Sequence, residues 1–556
     1  MPPVAPLAHH VRSLGHDVLM TKFAAKVTPE GNKLRGGYYT PEPIARFVAE
    51  WAGKAGPRVL EPSCGDGSIL CELADVVGAA DLTAVELVGS EAAAATKATG
   101  VQVQVADFFE WFDTPHLGTF DAVAGNPPYI RFGSWDESSR ELALALMRSQ
   151  GLRPNKLTNA WVPFVVASIL AVRPGGRIAL VLPAELLQVG YAAALRSYLI
   201  DNCSYLTIVS FQRLVFPGIL QEVVLLLAER GDGPAEIRTV EVPDASHLDA
   251  FYKSEAPAAR AHLHESEKWT KYYLDTNAIE LLRTVRIDGR LLPLDRFAEV
   301  DVGVVTGRNS FFCMSVADAK ARKLLRFTVP LVARSTQIPA LSFTTDDLAD
   351  QDTTNARTRL LTLTGDIKLD RQKALAAYLA EGEADGVPSG YKCSIRRNWW
   401  EVPSTWVPDG FMLRQISTHP RLIVNRAGAT STDTVHRLRV VPGVDMTRLA
   451  VGAFNSVTFA LSEVLGRSYG GGILELEPSE CGHLPVPDPA MVPDTLHLIV
   501  DALIRERRFE DAIDLVDRVV LINALGFSAD EVSALRRSWM QLRNRRIGRS
   551  SRAATA

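Results

Sequence analysis

The run Arg58-Val59-Leu60-Glu61-Pro62-Ser63-Cys64-Gly65-Asp66-Gly67-Ser68-Ile69-Leu70 decides the fold. Its first residues read as a short strand that ends at an acid, and its last residues open a helical pattern reaching Val77. Glycines at 65 and 67 let the backbone turn tightly between the two. Outward from this unit, strand candidates recur at 82–87, 101–107, 120–126, 176–183, 206–211 and 222–230. Helical stretches such as 42–52, 68–77 and 192–201 lie between most of them. Strands alternating with helices predict an α/β fold with a doubly wound, mostly parallel sheet.

The ends of these strands carry the chemistry. A phosphate loop would place Gly-Lys-Ser/Thr after the first strand and a dinucleotide fingerprint would read GxGxxG, whereas the sequence reads GDGSIL. Glu61 and Asp66 suit a ligand bearing an amino group and a sulfonium cation, namely S-adenosylmethionine; alone, the loop also reads as an ordinary strand-to-helix turn. The second strand ends at Glu86-Leu87, where a carboxylate accepts bonds from ribose hydroxyls or is simply solvated. The third ends at Asp107-Phe108. Asp107 is read either as an acceptor for an adenine amino group or as a helix N-cap, and Phe108 either packs on the ring or belongs to the core. Acids at three successive strand ends, after a glycine loop, favour a nucleoside ligand.

The fourth strand ends in Asn126-Pro127-Pro128-Tyr129. Two prolines fix the backbone and remove two N–H donors. The Asn126 side-chain oxygen and a proline carbonyl can then both accept from one planar amino group. Such acceptors favour a tetrahedral nitrogen with a localised lone pair, which can attack a sulfonium methyl in line. Positioning and hydrogen-bond electrostatics do most of that work, without a metal. Tyr129 offers a ring face for stacking on a base.

On these residues the sequence resembles the gamma-class N6-adenine DNA methyltransferases of bacterial restriction–modification systems, in which the catalytic region precedes the target-recognition region. The resemblance covers most of the chain, with its specific motifs inside residues 34–230. It implies a Rossmann-like, S-adenosylmethionine-dependent domain and site-specific methylation of adenine N6 in duplex DNA, through a flipped-out base. Gly37-Tyr38-Tyr39-Thr40-Pro41 matches the motif before the glycine loop, with Thr40 at the methionine moiety. Glu61, Ser63, Gly65 and Gly67 match the glycine loop. Glu86 and Leu87 match the ribose and adenine contacts, Asp107 and Phe108 the cofactor-adenine contacts, and Asn126 and Pro128 border the cofactor as well. Asn126 to Tyr129 match the catalytic tetrapeptide. Phe216, in Val215-Phe216-Pro217-Gly218, matches an aromatic that packs on the flipped adenine, as Tyr129 does. The same tetrapeptide occurs in RNA and protein-glutamine methyltransferases, which form the alternative reading, and a recognition subunit without turnover is a second alternative.

The long second half favours DNA. Arg308 and Asn309 lie in one basic-aromatic stretch, Lys392, Arg396 and Arg397 in another, and Arg426 in a third. Arg, Lys and Asn beside aromatics can contact phosphates and base edges. Tyr469-Gly470-Gly471-Gly472 suggests a close approach or an unusual φ. The expected organisation is a catalytic domain over 1–235, a connecting region over 236–295, and a mixed α+β target-recognition domain over 296–488. A helical segment with a basic tail follows over 489–556, after a Pro-rich linker at 485–494. The expected partners are double-stranded DNA and a separately encoded restriction endonuclease, with no membrane.

Composition bounds these readings. The chain has 556 residues, 47% of them apolar, and a formal net charge of −4. The six cysteines form no CxxC pair, so a disulfide scaffold or structural zinc site is not expected. The longest apolar run, 160–172, has only Ser168 as a polar residue; it is too short to span a bilayer and suits a buried core element. No signal peptide is read at the N-terminus, which suggests a cytoplasmic protein. The charge is segregated. Residues 51–150 hold 6 basic and 14 acidic residues, whereas 301–450 hold 20 and 15. Seven arginines and no acid follow Glu531, read either as a solvated helix end or as a DNA contact.

Overall fold

The fold centres on β1 (Val59–Glu61), whose parallel neighbours are β2 (Leu82–Glu86) and β4 (Phe120–Gly125). The computed structural model describes residues 39–216, 222–249, 251, 259–260, 268–363, 371–469 and 471–553. With β3 (Gln104–Val105), β5 (Val172–Pro183), β6 (Cys203–Phe211), β7 (Val223–Arg230), β8 (Glu236–Val242) and β9 (Ala259–Arg260), these strands make one sheet. Its order is β3-β2-β1-β4-β5-β7-β6-β8-β9. The strands from β3 to β5 are parallel, and β7 runs antiparallel to both β5 and β6. The sheet runs past residue 235, since β8 pairs in parallel with β6 along its whole length.

Alternate residues of each central strand face opposite cores, as the period of two requires. Val59, Ala122, Ala124, Ala179 and Val181 face a cluster with Phe47 and Trp51 of α1 (Glu42–Gly53) and Leu70 and Leu73 of α2 (Ser68–Val77). Leu60, Val123, Ile178, Leu180 and Leu182 face the other cluster. Helices cover both faces, so β7 reads from Val223 to Ala228 as a continuous apolar run rather than an alternating one. The apolar stretch 160–172 is α6 (Trp161–Ala171), running directly into β5. Between β2 and α6 lie α3 (Gly89–Thr99), α4 (Phe108–Trp111) and α5 (Glu137–Ser149); α7 (Ala193–Asn202) precedes β6.

The second half is mixed α+β. Its five-stranded sheet is ordered Ala298–Asp301, Val435–Val440, Gly410–Leu413, Leu422–Asn425, Ser342–Phe343. A four-stranded sheet from Cys313–Met314, Arg359–Leu361, Thr328–Val332 and Thr430–Ser431 borders a smaller core around Phe311, Phe312 and Leu360. The stretch 485–494, expected as a linker, is built into the structure: Pro485–Val486 pairs antiparallel with Leu292–Pro293, and Val486 and Val492 are buried. The helices α8 (Leu496–Arg505), α9 (Phe509–Val516) and α10 (Ala529–Ala553) follow, with a π-helical segment at Asp517–Ala524. One apolar cluster extends from Leu60 through Phe411 and Phe459 to Trp539 and Leu542, so the two halves and the C-terminal helices share a core. At its edge Gln188 and Ser468 exchange hydrogen bonds in both directions, at 2.7 and 2.6 Å. Beside Ser468, Gly471 and Gly472 adopt φ of +96° and +74°, which favours glycine.

Candidate active site

The carboxyl ends of β1, β2 and β4 open onto a cleft of about 570 Å³. Ligands of open parallel sheets sit at these strand ends, where connections diverge. Of the sequence-predicted cofactor residues, Thr40, Glu61, Ser63, Gly65, Glu86, Leu87, Asp107, Phe108, Asn126 and Pro128 line it. Gly67 instead caps α2 at φ +89°, where an added Cβ would lie 3.1 Å from the Ala95 backbone. Its glycine serves the turn and the packing of α2 against α3.

Asn126, the residue after β4, is held from two sides. Its Nδ2 donates to Thr40 Oγ1 at 3.2 Å, just before α1. The Tyr129 hydroxyl lies 3.0 Å from Asn126 Oδ1 and 3.1 Å from the Val181 carbonyl, both acceptors for its proton. These partners set the amide with nitrogen toward Thr40 and oxygen toward Tyr129. Pro128 lines the cleft and Pro127 is buried beneath it.

The three strand-end acids behave differently. Glu61 is 2% exposed, and its Oε2 and the Ser63 Oγ are buried polar atoms without a hydrogen-bond partner. Burial pushes the Glu61 carboxyl well above the usual carboxylate range, and the charges of Asp66 and Glu86 push it further. The same burial raises the Cys64 thiol. Glu86 ties the loops together: Oε2 accepts from Gly65 N–H at 3.0 Å and Oε1 from Val88 N–H at 2.8 Å. Asp107 is an N-cap, accepting from Phe109 N–H at 2.8 Å and Glu110 N–H at 3.3 Å, while its other oxygen accepts from Ser139 Oγ at 2.5 Å. Of the two readings of Asp107, the cap is therefore realised, and its carboxylate still borders the cleft. Phe108 belongs to the core and to the cleft wall, stacked on Phe164 at 5.0 Å.

An orphaned buried carboxyl needs a cation or a donor to offset its desolvation, and Glu61 faces a cleft that admits one. Leu87, 64% exposed, lays an apolar side chain on the cleft rim. This donor set fits a ligand with a cationic amino acid end and a flat apolar end. Sequence reasoning did not single out the part of the wall from Trp135 and Ser139, beyond the tetrapeptide. Their only signal is Asp136-Glu137-Ser138-Ser139, a helix-start pattern that Asp136 fulfils by capping α5. Phe216 is placed in the core with Phe47 and Phe251, 5% exposed, rather than on the cleft wall. Gly37, Tyr38, Pro217, Gly218 and Gly470 lie outside the described residues.

The family described as N-6 DNA Methylase matches residues 15–278. The family described as Type II methyltransferase M.Eco57I, C-terminal domain, matches residues 266–521. Together the two families cover residues 15–521, an N-6 DNA methylase match followed by a type II methyltransferase C-terminal match. It is 20% identical to the type II methyltransferase M.AccI of Acinetobacter calcoaceticus, across 82% of this chain and 86% of that one. It is 23% identical to M.XamI of Xanthomonas campestris pv. amaranthicola, across 81% and 85%. Over a shorter stretch, 37% of this chain and 47% of the relative, it is 32% identical to M.TthHB8I of Thermus thermophilus. A solved type IIG restriction endonuclease, BpuSI, aligns with 94% of this chain and 67% of its own, at 14% identity and a TM-score of 0.41. The methylase is thus a DNA methyltransferase of the restriction–modification type, and RNA or protein amide as target is not favoured.

In this methylase the candidate DNA contacts fall into groups. Arg308, Asn309, Lys392 and Arg397 are exposed. Arg396 is partly buried and structural, donating to the carbonyls of Val305 and Thr306 at 3.0 and 2.9 Å. It thereby joins the 305–309 and 391–397 stretches into one surface. Arg426 is exposed at the end of Leu422–Asn425, in the five-stranded sheet. Of the C-terminal arginines whose side chains are described, all but the exposed Arg537 are at least partly buried. Arg536 pairs with Glu510 and Asp514, Arg543 covers the Trp539 ring, Arg545 pairs with Glu241, and Arg546 pairs with Glu463 at 2.6 Å. Among the described residues, no helix is long and apolar enough to cross a membrane, and no group of three potential ligands could hold a metal.

Proposed function

We propose that this protein transfers the methyl group of S-adenosylmethionine to N6 of an adenine extruded from a specific site in duplex DNA. The observation that carries the reading is Asn126, oriented by Thr40 and Tyr129 at the end of β4, beside a cleft with an orphaned carboxyl. Glu61 and Ser63 would hold the amino acid end of the cofactor, with Thr40 beside it. Glu86, Leu87, Asp107 and Phe108 would surround its nucleoside. When bound, the cofactor supplies an electrophilic methyl on sulfonium sulfur. Asn126 Oδ1 and the Pro127 carbonyl would accept from the adenine amino group, keeping its lone pair on nitrogen.

Tyr129 would stack on the extruded base, partly repaying an unstacking cost of a few kcal/mol. Phe216, buried with the core, would support that wall from behind. Catalysis would lie with the region built on the nine-stranded sheet, which reaches Arg260, and recognition with the region from about residue 296, followed by the helical C-terminus. The surface with Arg308, Asn309, Lys392 and Arg397, together with Arg426, would read and grip the duplex. A separately encoded endonuclease cutting the same sequence, in the same cytoplasm, would be its counterpart. Labelled S-adenosylmethionine with unmethylated genomic DNA tests the reading. The wild type is expected to deposit N6-methyladenine at one sequence. Asn126→Ala is expected to abolish transfer with cofactor binding largely intact. Full transfer by that variant would sink the mechanism, and label entering RNA or protein instead of DNA would sink the substrate assignment.

A further inference from the structure

Two large apolar side chains stand out of the recognition half in a cationic stretch of its surface. Tyr391 is 74% exposed and Ile395 is 63% exposed. They flank the single helical turn Tyr391–Ser394, four residues apart, and so share one face of it. Leaving them in water is costly for side chains of this size, and the turn beneath them is built rigidly. Cys393, on the opposite side, is 1% exposed in the small core, with its Sγ 3.8 Å from the Thr306 carbonyl. The Arg396 guanidinium clamps the turn onto the Val305 and Thr306 carbonyls. Gly307, at φ +83°, brings its backbone so close that an added Cβ would stand 2.9 Å from Lys392 Cβ. An exposed apolar pair on a braced mount is the construction of an inserting element rather than of a loose loop.

The surroundings say what it inserts into. From Gly386 to Trp400 the chain has Lys392, Arg396 and Arg397 and no acid. The Lys392 ammonium lies 5.6 Å from the Tyr391 ring, and Arg308 is exposed on the adjoining stretch. Cations around an aromatic and a branched aliphatic side chain complement a polyanion that also offers flat apolar faces. Duplex nucleic acid has both, and proteins that unstack it push apolar wedges between its bases while cations hold the phosphates.

We propose that Tyr391 and Ile395 form a wedge that enters the DNA duplex and holds its base stack open while the target base is out. Lys392 and Arg397 grip the phosphates beside it. The inference rests on the DNA-adenine reading above and adds to it a second element, outside the cleft, that supports extrusion. A wedge makes a demand that a plain contact does not: it matters only while the base has to be taken from a paired stack.

The test uses the full chain, with Tyr391→Ala, Ile395→Ala and the double variant. The target site is first found by sequencing the wild-type methylation product. Two duplexes then serve as probes, one fully paired and one with an abasic position opposite the target, each made with 2-aminopurine at the target to read flipping and with adenine there to read the methylation rate. On the paired duplex the double variant is expected to lose the fluorescence rise and to methylate on the order of tenfold more slowly than the wild type. On the abasic duplex both deficits are expected to disappear. Cofactor affinity and the thermal midpoint should stay unchanged, because both side chains are exposed. Wild-type flipping and rate in the double variant on the paired duplex would overturn the wedge and leave the methylase reading standing. An equal loss on both duplexes would also overturn it, making the pair an ordinary DNA contact. A wild-type protein that transfers nothing to DNA would overturn the underlying reading, and the wedge with it.

Discussion

Glu61 is buried beside Asp66 and Glu86 with one oxygen unpartnered, so its carboxyl holds its proton to higher pH in the folded chain than in the unfolded one. Between the ordinary carboxyl range and that raised value, the folded state binds more protons. Stability of the cofactor-free protein therefore falls as pH rises through this window. Glu61→Gln removes the ionisation and is expected to raise the cofactor-free thermal midpoint at neutral pH and to flatten its pH dependence there. The same change removes the anion that a cationic amino group needs. S-adenosylmethionine affinity, measured by calorimetry, should drop roughly 10- to 100-fold, the range of a charged hydrogen bond. A variant both more stable and fully able to bind would remove Glu61 from the cofactor site. Tyr129 separates in the same way. Tyr129→Phe loses only the hydroxyl shared between Asn126 and Val181 and should cost kcat about fivefold, a neutral hydrogen bond's worth. Tyr129→Ala also loses the ring and should abolish the 2-aminopurine response at the target. Equal effects of the two substitutions would deny the ring its stacking role.

Elements whose identity rests on local pattern were legible. The glycine loop, α2 over 68–77 and the strand-end acids stand where the pattern puts them, because turn geometry and alternation are local properties. What depends on distant partners was not legible. The β7 run is apolar whichever way it points, so only its pairing with β5 and β6 reveals that it is antiparallel. Asp107 fits both a ligand acceptor and a cap, and only the position of Phe109 N–H and Ser139 chooses between them. The arginines of α10 are the plainest case, since a run of like charges looks solvated until its counter-charges, hundreds of residues away for some, are in view. Arg546 and Glu463 side chains are each 3% exposed, and Arg546 also donates to the Ile416, Ser417 and Gly472 carbonyls. Arg546→Ala leaves Glu463 buried without its counter-charge and should destabilise by about 3–5 kcal/mol. Arg537, exposed on the same helix, should tolerate alanine with an almost unchanged thermal midpoint. Similar midpoints for both variants would show that α10 is not a structural strut.

At the scale of the whole molecule, the net charge of −4 combines an acidic cleft region with a recognition half carrying 20 basic and 15 acidic residues. Many of those cations are committed internally. Arg421 is half-buried and donates to the Ala340 and Ile338 carbonyls, with desolvation bringing its guanidinium down to about 10, and Arg396, Arg414 and Arg437 are tied to carbonyls or carboxylates. The C-terminal arginines named above, Arg537 apart, are similarly occupied. The exposed candidates are Arg308, Lys392, Arg397 and Arg426. Each phosphate neutralised contributes about −0.9 to the slope of log K against log salt, so these four predict a slope near −3.6 for duplex binding. Arg397→Ala should weaken binding to specific and random duplex alike and bring the slope up by about one. Arg536→Ala should leave the slope as it was, since its charge is spent on Glu510 and Asp514. Titrating a fluorescent duplex from low to moderate salt decides the matter. A flat slope in the wild type would mean that the recognition half is not the polyanion-binding part. A slope that responds to Arg536 and not to Arg397 would move the DNA path from the recognition surface to the C-terminal helix.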